Sequence, residues 1–284
     1  MQINNNIILS RCPLCASNSI HQVGKLGYRE NIIFSTREIE LIHTPELWRC
    51  KQCLSSFVQY ALDAETAKLL YSSGKAGERW SSIAFDQHKS SEVVDRMRMI
   101  FNGTGSVLDV GCNTGELLDF ASEFGCKTSG VEFSSASREI LVKKCHSAYA
   151  TLEESLGHYD IITAFDLIEH LYDVPTFLKI CRDKLSKKGK LVILTGNVGS
   201  MGAKISGARW WYAQYPEHIV FPSKKYFSKY SGFCIEKWIP TYASKEYKWP
   251  IVHIVSWASK NFLKGGYTGL PSFGPDHTLI ILRK

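Results

Sequence analysis

From residue 106 onward, short apolar runs alternate with amphipathic ones. Ser106–Gly111, Lys127–Glu132, Ala148–Thr151, Tyr159–Phe165 and Gly189–Thr195 read as strands, the fourth apolar on both faces. Between them Thr114–Phe124, Ser135–Cys145 and Val174–Leu185 carry helical periodicity. Ser223–Tyr230 predicts a short helix, Phe233–Ile239 a strand and His277–Leu282 a final strand. The stretch 248–263 predicts a helix with Trp249, Val252, Val255 and Phe262 on or near one face. Upstream, Asp63 is placed to cap a helix running to Ser73, and 74–89 reads as loop. A second helix starts at Ser90, with Val93, Val94, Met97, Ile100 and Phe101 along one face. Alternation of this kind predicts an α/β fold: a mostly parallel sheet of seven strands with helices on both faces.

A chain of 284 residues holds about two domains, or one large domain with additions. The hydrophobic share is 44% and the charged share 21%, which excludes a disordered chain. No apolar run is long enough for a transmembrane helix, and the start lacks the basic region and apolar core of a signal peptide. The expectation is a cytoplasmic protein whose nine cysteines stay reduced. Net charge is +7, but residues 201–284 carry 12 basic against 4 acidic residues and 17 of the 34 aromatics. That balance points to an acceptor with negative charge and a flat or apolar surface, or to a solvated basic face over an aromatic core.

Cys12-Pro13-Leu14-Cys15 and Cys50-Lys51-Gln52-Cys53 stand 34 residues apart. Two Cys-x-x-Cys turns supply four thiolates, the donor set of a closed tetrahedral Zn(2+) site, so the expected role is structural. Residues 1–60 therefore read as a zinc ribbon, 61–105 as a helical connector or lid, and 106–284 as the main domain, with insertions near 196–222 and 240–275. Cys112, Cys126, Cys145, Cys181 and Cys234 show no ligand spacing and are expected to be buried small residues.

The turn Asp109-Val110-Gly111-Cys112-Asn113-Thr114-Gly115 ends a strand and opens a helix, the place where an open α/β sheet takes nucleotide-like ligands. A dinucleotide site would need Gly at position 113; Asn113 and Glu116 stand where a pyrophosphate would want glycine and no negative charge. Glu132 ends the second strand, 21 residues after Gly111, where a carboxylate can accept hydrogens from two ribose hydroxyls. An adenosine ligand without phosphates fits. These residues, with Tyr159-Asp160-Ile161-Ile162-Thr163-Ala164-Phe165-Asp166-Leu167-Ile168-Glu169-His170-Leu171, resemble the class I S-adenosylmethionine-dependent methyltransferases over roughly 90–240. The cysteine pairs make the chain similar to bacterial zinc-ribbon methyltransferases of sugars, polysaccharides and secondary metabolites.

The resemblance implies a Rossmann-like sheet, S-adenosylmethionine (SAM) as donor and S-adenosylhomocysteine (SAH) as product. It implies that Asp109, Gly111, Cys112, Asn113, Thr114 and Gly115 shape the methionine end of the pocket, and that Glu132 holds the ribose with Phe133 beside it. Thr151 and Leu152 would lie near the adenine edge, and Phe165 and Asp166 would border the sulfonium. Tyr215-Pro216-Glu217-His218 is similar to a Tyr-x-Glu-His pattern of sugar C-methyltransferases. His218 is the first choice of general base, with Tyr215 and Glu217 orienting it or the acceptor; His170 is the second. Trp210 and Trp211 offer either a platform for a sugar ring or a plug over the sheet. The leading expectation is methylation of a small sugar-like, nucleotide-linked or glycan acceptor of anionic character. The alternatives are an RNA methyltransferase using the ribbon and the basic C-terminal part, and a SAM-binding protein without catalysis.

Overall fold

The computed structural model of the protein describes residues 2–26, 32–34, 37–73, 84–101, 103, 105–242, 255, 269–270 and 274–284. Six short strands come first: β1 (Gln2–Ile3), β2 (Ile20–Lys25), β3 (Ile32–Phe34), β4 (Arg37–Leu41), β5 (Glu46–Cys50) and β6 (Ser56–Gln59). Helices α1 (Ala64–Ser73), α2 (Phe85–His88) and α3 (Ser91–Ile100) follow. The main domain then runs β7 (Ser106–Val110), α4 (Glu116–Glu123), β8 (Lys127–Val131), α5 (Ser135–Lys143), β9 (Ser147–Tyr149) and β10 (Tyr159–Phe165). After it come α6 (Val174–Lys184), β11 (Leu185–Gly196), α7 (Met201–Ser206), β12 (Val220–Phe221), α8 (Lys224–Lys229), β13 (Cys234–Thr241) and β14 (His277–Arg283).

Seven of these strands form one sheet in the order β13-β14-β11-β10-β7-β8-β9. It is parallel except at β14, which runs antiparallel to both β11 and β13. Alternating side chains divide between two apolar layers, as the period of two demands. Val107, Ile161, Val192, Leu194, Leu279 and Ile281 face α3 and α4, whose Met97, Leu117 and Leu118 are buried there. Leu108, Ile162, Leu191, Ile193, Ile280 and Leu282 face the opposite layer, with Leu178 and Cys181 of α6. Local sequence sets the helix starts. Asp63, Ser134, Asp173, Ser200 and Ser223 each accept an amide hydrogen from three residues on.

The cysteine-bearing part is bound into that opposite layer. β2, β5 and β6 form an antiparallel sheet whose fourth strand, β12, comes from residues 220–221 of the main domain. Ser223 N donates to Ser55 Oγ at 3.0 Å, and Phe57, Phe221, Tyr226 and Phe227 pack together in one core. A second small sheet, β1-β4-β3, flanks it.

Two expectations are corrected. The segment 74–89 is not all loop: Phe85–His88 is a helical turn because Phe85 inserts between Phe120 and Phe165, at 5.2 and 6.0 Å between ring centroids. Of the cysteines expected inside, Cys112, Cys126 and Cys181 are buried but Cys145 and Cys234 are exposed, at a turn after α5 and at the start of an edge strand. Apart from Val255, the expected helix 248–263 lies outside the described residues, as does most of the expected insertion 240–275.

Candidate active site and cysteine centre

The expected donor side lies where β7 ends. Gly111 and Gly115 have φ of 75° and 89°, and Asn113 between them also lies in the left-handed region at 49°. A Cβ on Gly115 would stand 2.6 Å from Leu141 Cδ2, so glycine is required by backbone and space together. Gly111 N donates to Val131 O at 2.8 Å, which ties the turn to the second strand. Glu132 completes the tie: its Oε2 accepts from Asn113 N at 3.0 Å and its Oε1 from Ser134 N at 2.9 Å. Arg138 donates to the Glu132 and Phe133 carbonyls at 2.7 Å each. Phe133 is exposed, with Lys68 of α1 over its ring at 5.7 Å.

Asp109 is buried below this turn and accepts from Thr163 Oγ1 at 2.6 Å. Burial pushes its carboxyl up to about 7, with the charges of Glu116 and Glu132 adding to the effect beyond what the Thr163 bond offsets. The Thr114 hydroxyl donates to Glu116 Oε1, on either side of Gly115, the N-cap of α4. Thr151 and Leu152 follow β9 at the far side of the crevice, Thr151 exposed and Leu152 buried.

Beyond β10 lies a second group. Phe165 is half-buried against Phe85, and Asp166 adopts φ 48°, a strained conformation for a residue with a side chain. Lys89, just past α2, donates to Asp166 Oδ2 at 2.6 Å, and His277 Nε2 of β14 stands 3.5 Å from Asp166 Oδ1. Burial acting alone would raise Asp166. The Lys89 ammonium and the His277 imidazole outweigh it and hold the carboxyl well below its usual range.

Next to it Glu169 is fully buried, accepting from Thr195 Oγ1 at 2.9 Å and from the Tyr212 hydroxyl. Burial raises its pKa. The rings of His170 and His218 meet edge-on at 4.7 Å. His170 Nδ1 bonds Glu217 O at 2.8 Å and His218 Nδ1 bonds Tyr212 O at 2.6 Å, so Glu169, His170 and His218 converge to within 4.8 Å.

The structure gives each residue of the expected catalytic set a partner of its own. Burial, then the neighbouring His170, push His218 down to about 3, where it is a weak base. The Tyr215 hydroxyl is buried and accepts from Leu62 N at 2.9 Å, and Tyr215 joins Pro216 through a cis bond. Glu217 serves His170 through its backbone carbonyl. Nor do the two tryptophans make a platform. Trp210 is 2% exposed and donates to Asp276 Oδ2 at 3.2 Å, while Trp211 stacks on His277 at 5.6 Å. Lys89, Asp276 and His277 were not found from sequence. Two of them flank the last strand and one sits in apparent loop, so only the closed sheet brings them to Asp166.

The four cysteines meet as their spacing predicts. Cys12 and Cys53 Sγ are 3.6 Å apart, as are Cys15 and Cys50, and all four sulfurs lie within 4.8 Å of one another. Zinc with sulfur at about 2.3 Å in a tetrahedron needs sulfur–sulfur distances of about 3.8 Å. Donor type, number and separation thus fit a closed four-thiolate zinc site.

Residues 82–230, just over half of the protein, match the methyltransferase domain family. The chain belongs to that family. Its sheet order, with β14 reversed, is that of the class I SAM-dependent methyltransferases, and the Gly111–Gly115 turn and Glu132 lie within the matched residues. Among curated relatives, a ubiquinone biosynthesis O-methyltransferase of Bradyrhizobium diazoefficiens is 34% identical over 115 residues, 37% of this chain and 46% of the relative. The human mitochondrial ubiquinone biosynthesis O-methyltransferase is 27% identical over 107 residues, 32% of this chain and 28% of its own length. The chain therefore spans less than half the length of these relatives. A solved SAM-dependent methyltransferase from Archaeoglobus fulgidus aligns with a TM-score of 0.48 and 22% identity, over 69% of this chain and 95% of that one. Within the described residues of the methyltransferase, no helix is long and apolar enough to cross a membrane.

Proposed function

We propose that this methyltransferase transfers the methyl group of SAM to a hydroxyl of a small-molecule acceptor. The carrying observation is the partly exposed Asp166 carboxylate at the carboxyl edge of β10, beside the strand whose glycine turn takes the donor. Ligands of open α/β sheets bind along that edge. Similarity to relatives named O-methyltransferases supports oxygen as the accepting atom. SAM supplies an activated methyl group. The protein's own part is to hold donor and acceptor in line and to receive the acceptor's proton. In this reading Glu132 takes the ribose hydroxyls, Asp109 and Gly111–Gly115 shape the methionine end, and Phe133, Thr151 and Leu152 border the adenine. Residues 1–60 serve as a ribbon holding one structural zinc through Cys12, Cys15, Cys50 and Cys53, and 61–105 as a connector over the donor. The test is methyl-labelled SAM offered with 3,4-dihydroxybenzoate, methyl α-D-glucoside and total RNA. O-methylation of a small acceptor is expected; label on RNA alone, or on nitrogen or carbon alone, would replace this reading.

A further inference from the structure

Two buried polar atoms at the carboxyl edge of the sheet have no hydrogen-bond partner among the described residues: Asp166 Oδ1 and His277 Nδ1. Native interiors satisfy nearly all such atoms, so a pair of orphans in one cluster needs an explanation. They belong to one chain of groups. Asp276 Oδ1 lies 4.0 Å from His277 Nδ1, and Asp276 Oδ2 is held by the indole N–H groups of Trp210 and Trp211. His277 Nε2 faces Asp166 Oδ1 at 3.5 Å, and Asp166 Oδ2 holds Lys89 at 2.6 Å. The chain runs from the interior outward: the His277 side chain is 3% exposed and the Asp166 side chain 38%. Its outer members, Asp166 and Lys89, lie at the carboxyl edge of the sheet with side chains 38% and 16% exposed.

We propose that Asp166, Lys89 and His277 form the proton-receiving side of the acceptor site: the Asp166 carboxylate meets the acceptor hydroxyl, and His277 behind it takes up the proton that methylation releases. This rests on the hydroxyl reading given above. As the new oxygen–carbon bond forms, the sulfur–carbon bond breaks and its electron pair returns to sulfur. The hydroxyl proton passes by way of Asp166 to the Nε2 lone pair of neutral His277 within the same step, so the acidic Asp166 never stands protonated. Ether, thioether and imidazolium result, and the imidazolium then gives its proton to solvent. The proton is taken up by the tautomer with hydrogen on Nδ1, toward Asp276 at 4.0 Å, whose Nε2 lone pair faces Asp166 at 3.5 Å. Only Asp166 touches the acceptor; His277 acts through it as a positioning residue. The loose 3.5 Å contact is one that substrate binding can tighten.

Several charged or titratable groups surround the His277 ring among the described residues. Asp276 and Asp166 flank it, Lys89 acts through Asp166, Tyr212 lies edge-on at 4.6 Å with Glu169 behind, and His218 lies within its field. Burial lowers the imidazole, but the two aspartates outweigh it and raise it to about 8. The rate should therefore climb with pH to a plateau above about 8.

Two measurements test this. The first is NMR titration of the histidine imidazoles in the SAH-saturated protein and in its Lys89→Met variant. Loss of the competing ammonium strengthens the Asp166 hold on His277, so one imidazole should titrate near 8 and move upward in the variant. The second is the pH profile of kcat/KM for 3,4-dihydroxybenzoate. Its alkaline rise should shift with the same variant, whereas ionisation of the acceptor itself would leave it in place. His277→Asn should bind SAH, lose the rise and fall about 10²–10⁴-fold at pH 8.5. If that variant does not fold, the Lys89→Met shifts decide. No imidazole titrating above 6.5, or a pH profile unmoved in the variants while turnover persists, overturns the proton-receiving role alone. Absence of methylation on any hydroxyl acceptor brings down the hydroxyl reading, and this step with it.

Discussion

Glu132→Ala should weaken SAH binding and loosen the donor turn together. In the protein without ligand, the Glu132 carboxylate already accepts two backbone hydrogens, from Asn113 at 3.0 Å and Ser134 at 2.9 Å. Each oxygen has room for a second donor, as the proposed contact with the ribose hydroxyls requires. A hydrogen bond to a charged group contributes about 1.5–3 kcal/mol. Loss of the ribose contact alone therefore predicts about 10- to 150-fold weaker binding. The two amides left without their carboxylate lower stability by about 1–3 kcal/mol where solvent cannot reach them. Glu132→Gln is no neutral control, because its amide nitrogen would face one of the two backbone N–H groups. It should lose nearly as much. Isothermal calorimetry with SAH gives the affinity and thermal denaturation gives the stability. An alanine variant that binds SAH within about twofold of the parent, at unchanged melting temperature, would show that Glu132 neither contacts the ribose nor orders the turn.

The protein purified without added metal should carry one zinc per chain by elemental analysis. Cys50→Ser should abolish it and lower the melting temperature; retention of a full equivalent would refute a four-thiolate site. Tyr215→Phe should lower stability by about 1–3 kcal/mol, because Leu62 N loses its buried acceptor, while turnover of the folded fraction stays within a few-fold. A large loss of turnover at unchanged stability would restore Tyr215 to the catalytic set. His218 stays neutral in the fold and binds a proton when unfolded, since its pKa falls from 6.5 to about 3. The unfolded state therefore takes up the extra proton between those values, and stability should drop as pH falls from 6.5 toward 3. Urea titrations should show a shallower drop in His218→Gln; identical slopes would contradict a buried neutral imidazole.

Much of the methyltransferase was legible in local pattern. The strand Tyr159–Phe165 was read with its observed bounds, because a run apolar on both faces between turn residues has little alternative. Asp63 was read as a cap and acts as one. The cysteine pairs lie close in sequence, so each turn already presents two sulfurs, and the fold had only to bring two turns together. Gly111–Gly115 and Glu132 were equally readable, since a strand, a tight turn and a following strand end are separated by few residues.

The proposed acceptor side was decided by tertiary structure. Tyr215, Glu217 and His218 look like a catalytic string in sequence, yet their side chains and carbonyls are spent on partners at Leu62, His170 and Tyr212. Burial then removes the basicity that makes histidine useful, and burial is a property of packing. Lys89, Asp166, Asp276 and His277 are scattered over almost 190 positions, and no spacing rule connects them. They meet because β14 enters the sheet in reverse beside β11, setting His277 against Gly196 at the edge where β10 delivers Asp166. Period and turn chemistry act over a few residues and can be read along the chain. The protonation state of a buried group depends on every charge packed around it, and that exists only once the sheet has closed.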